Sequence, residues 1–180
     1  GAMTASGDPR KLPVDSQQAP NFVHFDLPYL YRWEYGEENL LKESVASLEK
    51  IIAYEGPGNI AAILLEGESG SSGCLKYPVG YLKAVREICN KHDILLIMDE
   101  VMSGFGRTGK WFGFQNHDII PDMIAMAKGL TCGYLPFGCL QVSNKIAAKF
   151  DDTVLALGLT YSAHPVSCAA AFQTLKIYED

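Results

Sequence analysis

Two acidic residues and a run of glycines lie close together in "ILLIMDEVMSGFGRTGKW", residues 94–111. Asp99 and Glu100 directly follow an apolar segment, a pattern typical of strands that bind magnesium in many ATPases. The glycines fit the dinucleotide-binding pattern G-x-G-x-x-G, and residues 104–110 fit most of a phosphate-binding loop, G-x-x-x-x-G-K. These interpretations place different ligands on the same residues, so they exclude one another.

Neither phosphate-binding interpretation agrees with the surrounding residues. A phosphate-binding loop follows its own strand, begins a helix and has Ser or Thr after its lysine, but Trp111 follows Lys110 here. The loop would also bring a triphosphate close to the carboxylates of Asp99 and Glu100, which repel it. The dinucleotide pattern needs a helix after the glycines, and the aromatic, glycine-broken segment 109–118 does not predict one. The sequence therefore indicates that these glycines shape a loop.

Asp99 and Lys128 together suit a different ligand, pyridoxal phosphate. They follow the apolar runs 94–98 and 123–127, so both are expected at the carboxyl ends of buried strands, where α/β proteins bind ligands. A carboxylate there can pair with a protonated ring nitrogen and keep a pyridinium ion charged. Pyridoxal phosphate uses that charged ring to withdraw electrons, and it needs a lysine for its Schiff base. Glu100 alone is interpreted as a solvated acid at the strand end.

The segments that would position these residues alternate between strand-like and helix-like patterns. Continuous apolar runs predict strands at 60–65, 94–98, 123–127 and 138–142. Apolar residues at helical spacing predict helices at 37–54, 79–91, 144–150 and 165–178. Apolar strands joined by helices imply an α/β fold with a mainly parallel sheet, covered by helices on both faces.

The chain divides into three predicted parts. Residues 1–3, "GAM", are interpreted as the remnant of an expression tag. Residues 4–36 are rich in proline and predict an irregular lead-in, with one short strand near residues 22–25. Residues 37–180 are expected to form a single α/β domain.

Composition and charge exclude several classes of protein. Apolar residues make up 48% and charged residues 20% of the 180 residues, which is typical of a globular protein. The net charge of -6 gives no basic surface for nucleic acid or an anionic membrane, and no apolar run has membrane-spanning length. The 5 cysteines form no C-x-x-C pair and no zinc-site spacing, so we expect no metal and a cytoplasmic enzyme with reduced thiols.

Longer stretches resemble the class III aminotransferases, which are pyridoxal-phosphate enzymes of fold type I. The resemblance rests on "DEVMSGFGRTG" at 99–109 and "AKGL" at 127–130, a highly specific combination at this spacing, and "GLTYSAHPVSCAAA" at 158–171 extends it. The upstream segments "GDPRKLPVD" and "VHFDLPYLYR" are similar to ω-amino-acid:pyruvate transaminases, the branch of taurine and β-alanine transaminases. The resemblance implies that residues 37–180 are part of the large, cofactor-binding domain.

The resemblance also implies roles for individual residues. Lys128 would form the Schiff base and move a proton between the substrate α-carbon and the C4′ atom of the cofactor, and Asp99 would keep the ring nitrogen protonated. Val101 would pack against one face of the ring. Thr160 would reach the cofactor phosphate of a neighbouring subunit, or its hydroxyl could instead cap the following helix. Glu66 would lie near the substrate, although the family usually has proline directly after it.

Two parts of such an enzyme are not found in the sequence: a glycine- and serine-rich segment for the cofactor phosphate, and a small C-terminal domain with the arginine for the substrate carboxylate. The chain is therefore predicted to be an inactive central fragment of an aminotransferase. The full-length protein is expected to be a homodimer that uses an amino donor and a keto acid. Two alternatives remain open: another reaction of the same cofactor, by an aminomutase, racemase or decarboxylase, and a non-catalytic fragment that serves only in assembly.

Overall fold

The computed structural model describes residues 1–17, 19–34 and 36–180. Its α-helices are α1 (Ala2–Ala5), α2 (Glu37–Glu55), α3 (Tyr81–His92), α4 (Asn144–Ala147) and α5 (Pro165–Glu179). Its strands are β1 (Ala62–Glu66), β2 (Leu95–Asp99), β3 (Met123–Met126) and β4 (Cys139–Val142). Short 3-10 helices occupy Pro9–Gln17, Leu30–Arg32, Pro57–Asn59, Gly113–His117, Lys128–Thr131 and Ala148–Phe150.

The four strands form one sheet in the order β1-β2-β3-β4. β1 and β2 are parallel, as are β2 and β3, whereas β4 runs antiparallel to β3. A parallel neighbour needs a long crossover, but the segment between β3 and β4 contains only the 3-10 helix Lys128–Thr131. The predicted strands and the mainly parallel α/β fold are confirmed.

The core lies between one face of the sheet and the helices α2 and α3. The buried residues of α3 are apolar or aromatic and recur at helical spacing, so they lie on one side of the helix: Tyr81, Leu82, Val85, Ile88 and Cys89. They pack in one cluster with strand residues on the same face of the sheet, which include Ile63, Leu96, Met98 and Ile124. Burial of this continuous apolar surface is the main stabilisation of the fold.

The opposite face of the sheet is only partly covered. Leu64 and Leu140 point to this face and are 44% and 58% exposed. The two C-terminal helices do not bury it, since α4 has no buried residue and α5 packs against the segment Lys128–Thr131. The prediction of helices on both faces is therefore wrong for the described residues, where the helices bury one face.

The segment before α2 contains short helices in place of a fully irregular lead-in. The prediction of a strand near residues 22–25 is wrong. No described strand pairs with this segment, and Phe22 and Val23 are 47% and 55% exposed. Gln18 and Tyr35, which belong to the predicted lead-in, lie outside the described residues. In the part of the chain that the structure describes, no helix combines the length and the apolar composition needed to cross a membrane.

Candidate functional site

The carboxyl ends of β1, β2 and β3 bring three predicted site residues to one edge of the sheet. Glu66 ends β1, Asp99 ends β2, and the two are direct partners in the strand register. Their backbones are therefore one strand spacing apart, about 4.8 Å. Asp99 is also in register with Ala125 of β3, and Lys128 follows the end of that strand. The predicted placement of Asp99 and Lys128 at the same edge is confirmed.

Asp99 is half-buried and offers one carboxylate oxygen to a ligand. Its Oδ1 accepts a hydrogen bond of 2.9 Å from the backbone N–H of Val101, which fixes the rotation of the carboxylate. Among the described residues, no donor bonds Oδ2 and no cation forms an ion pair with Asp99. An acidic oxygen at this position can accept a charge-assisted hydrogen bond from a protonated ring nitrogen. Val101 is half-buried in the turn after β2, beside this carboxylate.

Lys128 combines an exposed side chain with a strained backbone. Its φ of 43° lies in the left-handed region, which costs a non-glycine residue about 1–2 kcal/mol. Nζ lies 2.7 Å from the sulfur of Met102, a weak acceptor, and no described carboxylate pairs with it. Strain of this kind persists where the surroundings enforce it and is concentrated at functional sites. The backbone geometry therefore supports a functional role for this lysine.

Glu66 is half-buried beside Asp99, and its surroundings oppose its ionisation. Burial raises the pKa of the Glu66 carboxyl, and the negative charge of Asp99 raises it further. The Gly70 N–H, which donates to Oε2, and the positive charge of Lys128 act in the opposite direction but do not reverse the shift. The charges of these three side chains therefore influence one another, as expected for parts of one site.

Glu100, which the sequence suggested to be a solvated acid, is 0% exposed, so that interpretation is wrong. Successive side chains of a strand point to opposite faces of the sheet. Glu100 therefore points to the face that α3 covers, whereas Asp99 points to the other face. The carboxylate of Glu100 accepts a hydrogen bond of 2.7 Å from the Ser103 hydroxyl. It also accepts bonds of 2.8 and 2.9 Å from the backbone N–H groups of Gly113 and Phe114. It thus joins the beginning and the end of the loop that follows β2.

Gly67 leaves the space that this buried carboxylate needs. A Cβ atom at position 67 would lie 2.8 Å from Cδ of Glu100, closer still to its Oε1 atom, and 2.9 Å from Oγ of Ser103. Position 67 is where the resembled family usually has proline, which carries a Cβ. The departure from the family pattern at Gly67 is thus compatible with the position of Glu100 in this chain.

Thr160 is not brought to the Asp99–Lys128 edge by any described hydrogen bond. It lies in the segment 151–164, all of whose residues are exposed. The alternative that its hydroxyl caps the following helix is wrong, because His164 is the N-cap of α5 and no side chain caps that helix end. Its expected role concerns a neighbouring subunit, which a single chain does not contain.

Two residues that hold the site loops were not identified from the sequence: Glu100 and Tyr178. The alternation of side chains along β2 was an available signal for Glu100. The hydroxyl of Tyr178 in α5 donates a 2.8 Å hydrogen bond to the carbonyl oxygen of Gly129, a contact between distant parts of the chain for which the sequence offers no signal. Among the described residues, no group of His, Cys, Asp or Glu side chains could hold a metal ion.

The sequence matches the family described as Aminotransferase class-III over residues 1–180. It is 38% identical to "Gamma aminobutyrate transaminase 3, chloroplastic" of Solanum lycopersicum over 100% of this chain and 37% of the relative. It is 47% identical to the "Omega-aminotransferase" of Caulobacter vibrioides over 74% of this chain and 31% of the relative. The chain therefore spans well under half the length of the curated relatives it matches.

Solved structures of transaminases share the fold. The taurine:2-oxoglutarate aminotransferase from Bifidobacterium kashiwanohense, solved with PLP and glutamate, matches with a TM-score of 0.95 and 45% identity over 99% of this chain and 41% of that chain. An (S)-enantioselective omega-transaminase from Thermomicrobium roseum matches with a TM-score of 0.93 and 41% identity, again over 99% of this chain and 41% of that one. The mainly parallel sheet with its flanking helices is therefore a segment of the transaminase fold.

Proposed function

The chain belongs to the class III aminotransferase family, and on that basis we propose that it is the central part of the large domain of a pyridoxal-phosphate aminotransferase. The full-length enzyme moves an amino group from an amino acid or ω-amine to a keto acid such as pyruvate. The observation that carries this proposal is the common edge of Asp99 and Lys128, just beyond β2 and β3. A carboxylate and an amine are the two groups that this cofactor requires from a protein.

Asp99 holds the ring of the cofactor. When bound, pyridoxal phosphate supplies a pyridine ring that withdraws electrons from the substrate α-carbon while its nitrogen is protonated. Oδ2 of Asp99, which accepts no hydrogen bond from the described residues, would accept one from the protonated ring nitrogen, and the negative charge of the carboxylate would keep the proton there. The Val101 N–H orients the carboxylate through Oδ1, and the Val101 side chain would pack against the ring.

Lys128 provides the amine that binds the cofactor aldehyde covalently. Its Nζ has the sulfur of Met102, a weak acceptor, as its only described hydrogen-bond partner, so little is lost when Nζ leaves this position. With the cofactor bound, the same Nζ would act as the base and acid that takes up and returns the proton of the substrate α-carbon. Glu66, one strand away from Asp99, lies on the substrate side.

The full-length protein is proposed to work as a homodimer in the cytoplasm, with a small amino donor and a keto acid as substrates and no nucleic acid or membrane partner. Support for a dimer comes from the exposed segment 151–164, where Val154, Leu157 and Leu159 are 88%, 75% and 78% exposed. Clustered exposed apolar side chains mark interaction surfaces. Thr160 lies in this segment, as a contact to the cofactor phosphate of a neighbouring subunit requires. The cysteines at 74, 89, 132, 139 and 168 are free thiols, which fits a reducing compartment.

The isolated 180-residue chain is proposed to bind the cofactor weakly and to be inactive. The phosphate carries most of the charge of the cofactor, and the one group expected to bind it, the Thr160 hydroxyl, lies in the exposed segment 151–164. Loss of several charge-assisted hydrogen bonds, each worth about 1.5–3 kcal/mol, weakens binding by orders of magnitude. Titration of the chain with pyridoxal phosphate, followed by absorbance, tests this statement, and tight stoichiometric binding would contradict it.

The decisive test of the function is Lys128→Ala in the full-length protein. This variant should lose the absorbance of the covalently bound cofactor and nearly all amino transfer to pyruvate, because no other group can make the link. Lys83→Ala, a change of an exposed lysine on α3, is the matched control and should behave as the wild type. Normal turnover by Lys128→Ala would rule out the proposed role.

Asp99→Asn separates ring protonation from binding. A neutral amide cannot hold the ring proton, and each pKa unit lost is worth about 1.4 kcal/mol, so a change of several units should slow the reaction by orders of magnitude. Cofactor binding should suffer less than the rate. The same assays, with pyruvate and several amines, should detect keto products. Release of carbon dioxide or of an epimerised amino acid instead would identify a different reaction of the same cofactor.

A further inference from the structure

Tyr178, near the end of α5, contacts both loops that carry the proposed cofactor residues. Its hydroxyl donates a 2.8 Å hydrogen bond to the carbonyl oxygen of Gly129, the residue after Lys128. Its ring stacks on Phe105 with a centroid distance of 6.0 Å and meets the edge of Trp111 at 6.1 Å. Phe105 and Trp111 belong to the loop after β2, so one side chain touches the loop after β2 and the loop after β3.

A further contact fixes the direction of the Tyr178 hydroxyl. The sulfur of Cys132 lies 2.8 Å from the Tyr178 oxygen. Tyr178 has a single hydroxyl hydrogen and donates it to Gly129, so the Cys132 thiol must be the donor in this contact. The Tyr178 oxygen therefore bonds the segment after Lys128 at two points.

The two loops also touch each other directly. A Cβ atom on Gly129 would lie 2.9 Å from Cβ and 3.0 Å from Cδ2 of Phe105, so only glycine allows this approach. On the two sides of the contact, Phe105 and Lys128 have positive φ angles of 58° and 43°. Non-glycine residues keep such angles only where their surroundings hold them. The Tyr178 ring stacks on Phe105, and the Tyr178 hydroxyl bonds Gly129, the residue directly after Lys128.

We propose that Tyr178 is a positioning residue that holds the strained backbone at Lys128 against the loop after β2, and so sets the place of the Lys128 amine relative to Asp99. This inference rests on the proposed function, since it concerns the same two groups. Asp99 is the last residue of β2 and is fixed by the sheet, whereas Lys128 lies beyond the end of β3. The position of the lysine therefore depends on contacts outside the sheet, and the Tyr178 hydroxyl makes one of them, with the carbonyl oxygen of the next residue, Gly129.

The first experiment measures amide hydrogen exchange of the full-length protein without cofactor. Tyr178→Phe keeps the ring contacts and removes only the hydroxyl. The loss of the hydrogen bonds to Gly129 and Cys132 should accelerate exchange in residues 128–132 by about 5- to 10-fold. Tyr54→Phe is the matched control, because Tyr54 is 88% exposed on α2, and it should leave exchange unchanged.

The second experiment measures how fast Lys128 captures pyridoxal phosphate. Absorbance gives the rate, and borohydride reduction followed by peptide mass spectrometry gives the attachment site. Tyr178→Phe should slow capture by a factor similar to its effect on exchange, and its unfolding midpoint should fall by no more than about 4 °C. Cys132→Ala should slow capture as well, but by a smaller factor. Cys132→Ser retains a hydrogen-bond donor, so its capture rate should be close to that of the wild type.

The outcomes separate the inference from the proposed function. Wild-type protein that captures no cofactor at Lys128 would overturn the proposed function, and the inference with it. Wild-type capture at Lys128, with Tyr178→Phe unchanged in exchange at 128–132 and in capture rate, would overturn the inference alone. Exchange accelerated throughout the protein as much as in residues 128–132 would show that Tyr178 acts only in general stability and would also overturn the inference.

Discussion

Replacement of Glu100 by glutamine tests whether the buried carboxylate holds the loop after β2 in place. Glu100 is 0% exposed, and its two oxygens accept three hydrogen bonds without a cation. Oε2 accepts from the Ser103 hydroxyl and the Gly113 N–H, and Oε1 accepts from the Phe114 N–H. Glu100→Gln keeps the size of the side chain and replaces one acceptor by an NH₂ donor.

Either orientation of the new amide leaves one backbone donor facing another donor. If the amide oxygen takes the Oε2 position, the NH₂ group faces the Phe114 N–H; if it takes the Oε1 position, the NH₂ group faces the Gly113 N–H. The Ser103 hydroxyl can rotate to accept, so it adapts to both orientations. A lost hydrogen bond to a charged acceptor costs about 1.5–3 kcal/mol, and relief from burying a charge offsets part of it. We expect a net loss of about 2 kcal/mol in the free energy of unfolding.

Thermal unfolding can measure this loss. A change of about 2 kcal/mol lowers the Tm of a protein of this size by about 4–8 °C. Glu87→Gln, the same substitution at an exposed position of α3, is the control and should change stability by no more than about 0.5 kcal/mol. If Glu100→Gln unfolded at the same temperature as Glu87→Gln, the carboxylate would not be needed as a triple acceptor and the reasoning would fail.

Two further substitutions test neighbouring contacts. Gly67→Ala introduces a Cβ that collides with the Glu100 carboxylate and should cost about 1–3 kcal/mol, whereas Gly58→Ala, with no atom within 4 Å, should be tolerated; urea unfolding compares them. Arg86→Met removes the cation 2.7 Å from Asp122 and should cost about 1–3 kcal/mol at neutral pH. Burial raises the pKa of Asp122, but a backbone hydrogen bond and Arg86 lower it more, to below 3.8. The stabilisation by this pair is therefore present above pH 3.8 and lost as the pH falls further, so the difference between Arg86→Met and wild type should shrink in acid; a constant difference would contradict this.

The sheet and the position of the site could be predicted because both depend on local patterns. Continuous apolar runs identify buried strands. The residue after such a run lies at the carboxyl edge of a parallel sheet, and this placement does not depend on contacts distant in sequence. For this reason Asp99 and Lys128 were expected at one edge, and they lie there. The reversed direction of β4 depends on the short connection after β3, and the sequence run 138–142 carries no sign of direction.

The errors concern features that depend on contacts distant in sequence. The apolar residues near 22–25 fit a strand, but a strand needs a partner, and no described strand pairs with them. The predicted helices were expected to cover both faces of the sheet, yet α5 packs beside Lys128–Thr131. Periodicity shows which side of a helix is buried and does not show what it is buried against.

The glycine pattern in the loop after β2 has a physical explanation without a nucleotide. Residues 101–110 form a series of turns, so the helix N-terminus that would bind a pyrophosphate is not formed there. Gly106 and Gly109 have φ angles of 85° and 86°, which few side chains tolerate, and a Cβ at Gly104 would lie 2.7 Å from the carbonyl oxygen of Glu100. The tight turns between Asp99 and Gly113 therefore require glycine at all three positions of the G-x-G-x-x-G pattern. The same turns leave Oδ2 of Asp99 free, and they bring Phe105 against Gly129 beside Lys128. A pattern that resembles a phosphate-binding motif therefore shapes the loop from Asp99 to Gly113 and brings Phe105 against the residue after Lys128.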